Sequence, residues 1–408
     1  MRRFAALLLV LGGCSMVPPG SAVYDSSEAR GYTTADLAPP GHSFTPAPAP
    51  APSRLRAGET NDNAAFAGYL RYFKAYPDRN VRKIDISDRM VVTFSDRDGR
   101  PVSNAAVRVS CGGERVYRGT TTAGGQLMFP PRAVGVDEDV RRFTAEIDGR
   151  RATFGRGDEV DVTIDVPQPE RDEVDVDVAF CLDTTGSMGD EIDAIRRTLR
   201  DVASRLDRLH PRPRLRYGLL IFRDHGDEYV TRATDFTKDL GAFLRVLDRV
   251  RAEGGGDYEE AVSEALCRSV DDLSWRPGDA IRVLFLVGDA PPHTDTPDGF
   301  DYSHAMRRAL EKGIKIFTLA ASGLNDKGEF IWRQLAQFTL GRFMYISYSG
   351  ASPHHVGEYK ENNLDDLMVR AVKGEVDSLR AARPSPHPQE GGRGREPDDF
   401  REYRAQKD

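Results

Sequence analysis

The chain has 408 residues, enough for two or three domains, and its hydrophobic fraction of 39% is low for a single globule and indicates unstructured segments. Its 57 Lys and Arg against 64 Asp and Glu leave a net charge of −7, which argues against a nucleic-acid-binding protein. The 4 Cys are widely spaced, so they predict neither a disulfide framework nor a zinc-binding pattern.

The start of the chain has the layout of a secretory signal. A basic Met-Arg-Arg precedes an apolar segment over residues 4–11, which is too short to cross a bilayer. The following Leu-Gly-Gly-Cys resembles the lipobox of bacterial lipoproteins. That resemblance implies a signal peptide at 1–13 and a lipid anchor on Cys14. Because Ser15 follows the Cys, it also implies that the protein is located at the outer membrane. The alternative is an ordinary secretory signal with an incidental Cys14.

The next segment has the composition of a linker. Residues 14–62 are rich in Pro, Ala, Ser and Gly, which predicts disorder, and the alternating prolines of 45–52 predict a semi-rigid spacer. A Pro-rich ligand for a partner is the alternative. Spaced apolar residues at 64–76 predict a short helix.

Short alternating strands separated by turns predict an all-β domain over about 84–166. The stretch from Asp98-Gly99 through Gly124-Gly125 to Phe129-Pro130 resembles the prealbumin-like or carboxypeptidase-regulatory sandwich family. The resemblance implies a small β-sandwich at 63–168 that serves as a spacer or binding module and carries no chemistry.

Buried strands then alternate with amphipathic helices over 172–383. This alternation predicts a doubly wound, mostly parallel α/β sheet. We expect its strands at 174–182, 215–222, 229–236 (an edge strand), 281–287, 314–320 and 343–346, with a closing helix at 362–383. The charged tail at 384–408 contains Pro and Gly clusters and predicts disorder.

Two of the expected core strands end on carboxylates, Asp183 and Asp289. Ligands of parallel sheets bind at the carboxyl ends of the strands, so we expect these side chains to converge. Thr185 and Ser187 add hydroxyl oxygens, and the loop Gly254-Gly255-Gly256 delivers Asp257 to the start of the next helix. A divalent cation would remove the cost of burying these charges, and ligands that are all oxygen favour Mg²⁺ or Mn²⁺ over Ca²⁺.

The same motifs resemble the metal-ion-dependent adhesion site of von Willebrand factor type A domains. The family pattern is Asp-x-Ser-x-Ser, then a Thr in a Gly-rich loop, then an Asp after a core strand. Here Thr185 replaces the first Ser and Asp257 replaces the loop Thr. The resemblance covers roughly half the chain and implies a metal site formed by Asp183, Thr185, Ser187, Asp257 and Asp289.

This resemblance implies metal-dependent binding of a protein partner in the cell envelope. The third carboxylate, Asp257, predicts tighter metal binding but weaker capture of a partner's carboxylate than in adhesive relatives. An alternative is an envelope assembly or sensing component, in which the closing helix at 362–383 responds to occupancy of the site.

An enzyme is not expected. The segment 185–189 comes close to a Gly-x-Ser-x-Gly nucleophile elbow but lacks the first Gly and a base–acid pair. No Lys-Ser/Thr follows Gly254–Gly256 as in a P-loop.

Other polar residues have simpler interpretations. His293 either caps a loop or contacts a partner. For His354-His355, an exposed pair in a loop is a better interpretation than a zinc site. We expect Cys181 and Cys267 to be buried and reduced.

Overall fold

A computed structural model describes residues 54–77, 81–168, 173–210, 212–295, 299–348, 352–356 and 360–380. The predicted signal peptide at 1–13, the predicted lipidation site Cys14, the tail at 384–408 and most of the predicted linker lie outside these residues. Within the described part of the chain, no helix is both long and apolar enough to cross a membrane.

Strands and helices are numbered here along the chain. The strands are β1 (Arg56–Thr60), β2 (Met90–Ser95), β3 (Ala106–Cys111), β4 (Glu114–Thr120), β5 (Gln126–Phe129), β6 (Arg142–Ile147), β7 (Arg150–Gly155), β8 (Glu159–Thr163), β9 (Asp175–Asp183), β10 (Arg214–Phe222), β11 (Thr231–Thr237), β12 (Ala280–Gly288), β13 (Ile314–Ala320), β14 (Phe343–Ile346) and β15 (Asn362–Asn363). The α-helices are α1 (Phe66–Ala75), α2 (Ile192–Leu206), α3 (Leu240–Leu247), α4 (Val262–Asp271), α5 (Tyr302–Lys312), α6 (Asp326–Phe338) and α7 (Leu364–Arg380).

The largest sheet has the strand order β11-β10-β9-β12-β13-β14-β1-β15. Its central strands β10, β9, β12, β13 and β14 run parallel, whereas β11 and β1 pair antiparallel at the two sides of this group. Every residue of β12 is buried, because helices cover both faces of the sheet.

The two faces form separate apolar cores. Val178 and Phe180 of β9 pack in the core that contains residues of α2, α3 and α7. Their neighbours Ala179 and Cys181 pack in the core that contains residues of α1, α4, α5 and α6. This alternation follows the period of two along a strand and confirms the predicted doubly wound α/β sheet. Cys181 and Cys267 are buried and unbridged.

The segment before the β domain belongs to this sheet, which corrects the predicted domain limits. Residues 56–60 fall inside the predicted linker, yet they form β1 and pair with β14. The α1 residues Tyr69 and Phe73 lie in the second core of the sheet. The sequence Arg-Ala-Gly-Glu-Thr has little strand preference of its own, so its conformation depends on tertiary pairing.

The β domain consists of two small sheets, β5-β2-β8 and β4-β3-β6-β7. Side chains from both sheets share one apolar core. The predicted all-β region is therefore present, and its likeness to prealbumin-like sandwiches stays a prediction. Cys111 is half-buried at the end of β3.

Candidate metal site

The Asp183 and Asp289 carboxylates meet at the carboxyl edge of the large sheet, because β9 and β12 are neighbouring parallel strands. The Ser187 hydroxyl donates to Asp289 Oδ1 at 3.1 Å and lies 3.2 Å from Thr185 Oγ1. Thr185 donates its backbone N–H and its hydroxyl to Asp183 Oδ1, at 2.9 and 2.7 Å. The structure thus brings four of the five predicted ligands into one connected group of oxygen atoms.

This group carries unbalanced negative charge. Asp183 is completely buried, and its Oδ2 has no hydrogen-bond partner among the described residues. Burial, and then the charge of Asp289, raise the pKa of Asp183 to about 7. Burial also raises the pKa of Asp289. A cation at the orphaned oxygen would compensate both carboxylates, so the residues present fit a divalent metal ion.

Glycines let the surrounding loops approach the site. The Gly186 N–H donates to the Gly254 carbonyl oxygen at 3.0 Å, and a Cβ on Gly186 would lie only 2.7 Å from that oxygen. Gly254 and Gly255 have φ values of 80° and 84°, which favour glycine. Below the site, a Cβ on Gly288 would lie 2.9 Å from Asp183 Oδ2. These contacts fix the turn between β9 and α2 beside the Gly-rich loop.

Asp257, the fifth predicted ligand, does not join the group of oxygens. Its side chain is 69% exposed, and it lies 4.0 Å from His293 Nε2. The physical reason is the path of the Gly-rich loop. Gly255 donates its N–H to the Asp227 carboxylate at 2.9 Å, and the following residues turn Asp257 toward solvent.

Glu260 is the acid that the sequence analysis missed. It is 2% exposed, and its Oε2 has no hydrogen-bond partner in the described part of the chain. Burial, and then the charges of Asp183 and Asp224, raise the pKa of Glu260 to about 9. An acid directly before an apolar helical stretch is typical of an exposed helix start, so the sequence carried no sign of this burial.

Two tyrosines on the same edge of the sheet are exposed. Tyr258 is 44% exposed and donates its hydroxyl to the Gly323 carbonyl oxygen at 2.6 Å. Tyr348 is 65% exposed, and burial of its hydroxyl beside Glu191 raises its pKa to about 12. Among the described residues, these two are the large hydrophobic side chains that are exposed.

The histidines divide between the site and a distant loop. His293 Nε2 lies 2.7 Å from Asp224 Oδ1, next to the candidate site. The His355 side chain is 65% exposed, as expected, but that of His354 is only 6% exposed. His354 packs edge-on against Phe343 and lies 3.4 Å from Glu329, contacts that join distant parts of the chain and are invisible to local patterns.

Comparisons with known proteins identify a family for the central part of the chain. Residues 177–338 match the family model of the von Willebrand factor A domain. The alpha-protein kinase vwkA of Dictyostelium discoideum is 29% identical over 140 residues, which are 34% of this chain and 21% of that protein. The human von Willebrand factor A domain-containing protein 7 is 33% identical over 115 residues, which are 28% of this chain and 12% of that protein.

The chain therefore spans about a fifth or less of the length of these curated relatives. A further similarity is to the crystal structure of the conserved hypothetical protein BatB from Bacteroides thetaiotaomicron. The match covers 51% of this chain and 98% of the BatB chain, with 17% sequence identity and a TM-score of 0.35. The family match places a von Willebrand factor A domain at residues 177–338.

Proposed function

We propose that this von Willebrand factor A domain protein binds a protein partner in the bacterial cell envelope through a divalent metal ion. Domains of this family serve generally in adhesion and protein–protein interaction. The observation that carries the metal dependence is the buried, unpartnered Oδ2 of Asp183 beside the Asp289 carboxylate. The cost of burying such a charge is large unless a counter-charge is bound.

In this proposal, the metal ion is Mg²⁺ or Mn²⁺. Asp183, Thr185, Ser187 and Asp289 would hold it, since their oxygen atoms already lie together. These hard oxygen donors suit both ions. The site then needs an additional ligand, and a carboxylate of the partner can supply it.

The partner surface in this proposal is the edge of the sheet that carries the site. Tyr258 and Tyr348 are exposed there, and tyrosine is enriched among the residues that dominate binding energy at interfaces. The Tyr258 hydroxyl oxygen also lies 3.4 Å from the backbone oxygen of Asp289, so this ring adjoins the site.

Attachment to the membrane through Cys14, with residues 15–53 as the spacer, completes the proposal. Its support is the lipobox resemblance and the Pro-rich composition. We give the protein a binding role and no catalytic one.

Thermal unfolding of the purified protein with Mg²⁺, with Mn²⁺ and with EDTA tests the metal site. The full chain is required because β1 and α1 contribute to the large sheet. A metal at about 100 times its Kd should add about 2.7 kcal/mol to the free energy of unfolding, and Asp183→Asn should abolish this gain. An equal response of Asp183→Asn and wild type would contradict the site.

Capture from envelope extract tests the partner. Bound proteins should be released by EDTA and absent with Asp183→Asn, and Tyr348→Ala should weaken their retention. Tyr348→Phe is the matched control, because it keeps the ring. Capture that is insensitive to EDTA and to Asp183→Asn would contradict the proposed function.

A second candidate function is sensing, with α7 as the responding element. Arg205 of α2 lies 2.5 Å from Asp365 and 2.8 Å from Asp366 of α7. Because α2 begins directly after the site, a shift at the site has a direct route to α7. Hydrogen exchange of the α7 amides should then change between Mg²⁺ and EDTA, and identical exchange in both would rule this out.

A further inference from the structure

A second group of possible metal ligands lies around His293, in the loop after β12. Ligand atoms of Asp224, Asp257 and His293 all lie within 4.8 Å of one another. His293 Nε2 is 2.7 Å from Asp224 Oδ1 and 4.0 Å from Asp257 Oδ1. The three residues come from three different loops, so their meeting is a product of the fold.

The two nitrogen atoms of His293 face different surroundings. On the Nδ1 side, Glu259 Oε2 lies 3.8 Å away, but Lys327 Nζ already binds the other Glu259 oxygen at 2.5 Å. That ammonium group would repel a metal ion. On the Nε2 side, neither Asp224 nor Asp257 pairs with a Lys or Arg within the described residues. The charge balance therefore favours a cation on the Nε2 side.

A second imidazole adjoins this side. The rings of His225 and His293 have centroids 5.8 Å apart. Ligand atoms of a tetrahedral Zn²⁺, at bonds of about 2.0–2.1 Å, lie about 3.3 Å from one another. The observed separations of 2.7 and 4.0 Å bracket this value, and the exposed side chain of Asp257 is free to adjust by rotation.

The donor types differ from those of the site at Asp183. Imidazole nitrogen suits Zn²⁺ and other transition metals, whereas Mg²⁺ prefers oxygen alone. A buried acid adjoins these loops: Glu260 is 2% exposed, and its Oε2 lacks a partner in the described part of the chain.

We propose that His293, Asp224 and Asp257, with His225 as the adjoining imidazole, bind a transition metal ion of the Zn²⁺ class, separately from the oxygen-only site. A metal ion there links the loop after β10, the Gly-rich loop and the loop after β12, and so holds three loops of the partner-binding edge together. This assignment does not depend on the proposed function.

The test is titration with Zn²⁺ and Co²⁺, read by calorimetry and by the visible absorption of bound Co²⁺. Wild type and Asp183→Asn should both bind one such ion here. His293→Gln should lose at least about tenfold in affinity, because a directly bound ligand matters no less than the residues that support it. His304→Gln is the matched control, since His304 is exposed on α5. The His293→Gln variant should retain its Mg²⁺ response.

Equal Zn²⁺ affinity in His293→Gln, His304→Gln and wild type would overturn the assignment. So would loss of Zn²⁺ binding in Asp183→Asn, which would mean that one mixed site binds both ions. If His293→Gln fails to fold, Asp257→Asn replaces it, because a side chain that is 69% exposed is dispensable for packing. A wild-type protein that binds Zn²⁺ at His293 but is not stabilised by Mg²⁺ or Mn²⁺ would refute the proposed function and leave this inference standing.

Discussion

Asp183→Asn should stabilise the metal-free protein at neutral and alkaline pH. In the folded chain the pKa of Asp183 is raised from 3.8 to about 7, chiefly by burial and then by Asp289. A carboxyl group whose pKa rises on folding binds more protons in the folded state, so the free energy of unfolding falls as pH rises from about 3.8 to about 7. Above that range the full cost of the buried charge is present.

The size of this cost follows from the shift. About three pKa units at 1.36 kcal/mol each correspond to about 4 kcal/mol. Asparagine keeps the shape of the side chain and an oxygen that accepts both Thr185 hydrogen bonds. The variant therefore removes the charge and leaves the packing in place.

Chemical unfolding in EDTA at about pH 5 and about pH 8 measures the effect. The wild-type free energy of unfolding should fall by a few kcal/mol between these values, and that of Asp183→Asn should fall clearly less. Saturating Mg²⁺ should cancel the fall in wild type only, since metal binding requires ionised carboxylates. Asp193→Asn is the control, because that side chain is 65% exposed. Parallel pH curves for Asp183→Asn and wild type would refute the reasoning.

Two glycine substitutions test the packing that positions the site and the sheet. Gly288→Ala places a methyl group 2.9 Å from Asp183 Oδ2, so it should cost about 1–3 kcal/mol and lower Mg²⁺ affinity, as denaturant unfolding and calorimetry would measure. Gly58→Ala places a methyl group 2.4 Å from the buried ring of Tyr345, so it should destabilise the protein at β1 by a similar amount. The folded Gly58→Ala variant should bind Mg²⁺ with unchanged affinity. Gly374→Ala is the control for both, because its Cβ meets no atom within 4 Å and alanine should stabilise α7 by up to about 1 kcal/mol. Equal stability of all three variants would contradict the close contacts.

Local patterns in the sequence were enough to locate Asp183 and Asp289. Continuous apolar runs predicted two buried strands, and each run ended on an acid. Because parallel strands present their carboxyl ends at one edge, convergence of the two carboxylates followed from the fold class alone. The hydroxyls of Thr185 and Ser187 follow the first strand so closely that they lie at the same edge for the same reason.

Only the tertiary structure decided which acid of the Gly-rich loop is buried. Asp257 and Glu260 are three residues apart, and nothing local distinguishes an inward from an outward side chain after glycines with positive φ. Likewise, β1 lies in a sheet because it pairs with β14, nearly three hundred residues later. By itself, the sequence determined the elements whose hydrophobic period is strong. The path of a loop and the pairing of an edge strand depend on contacts between residues that are far apart in the sequence. A local sequence pattern carries no information about those contacts.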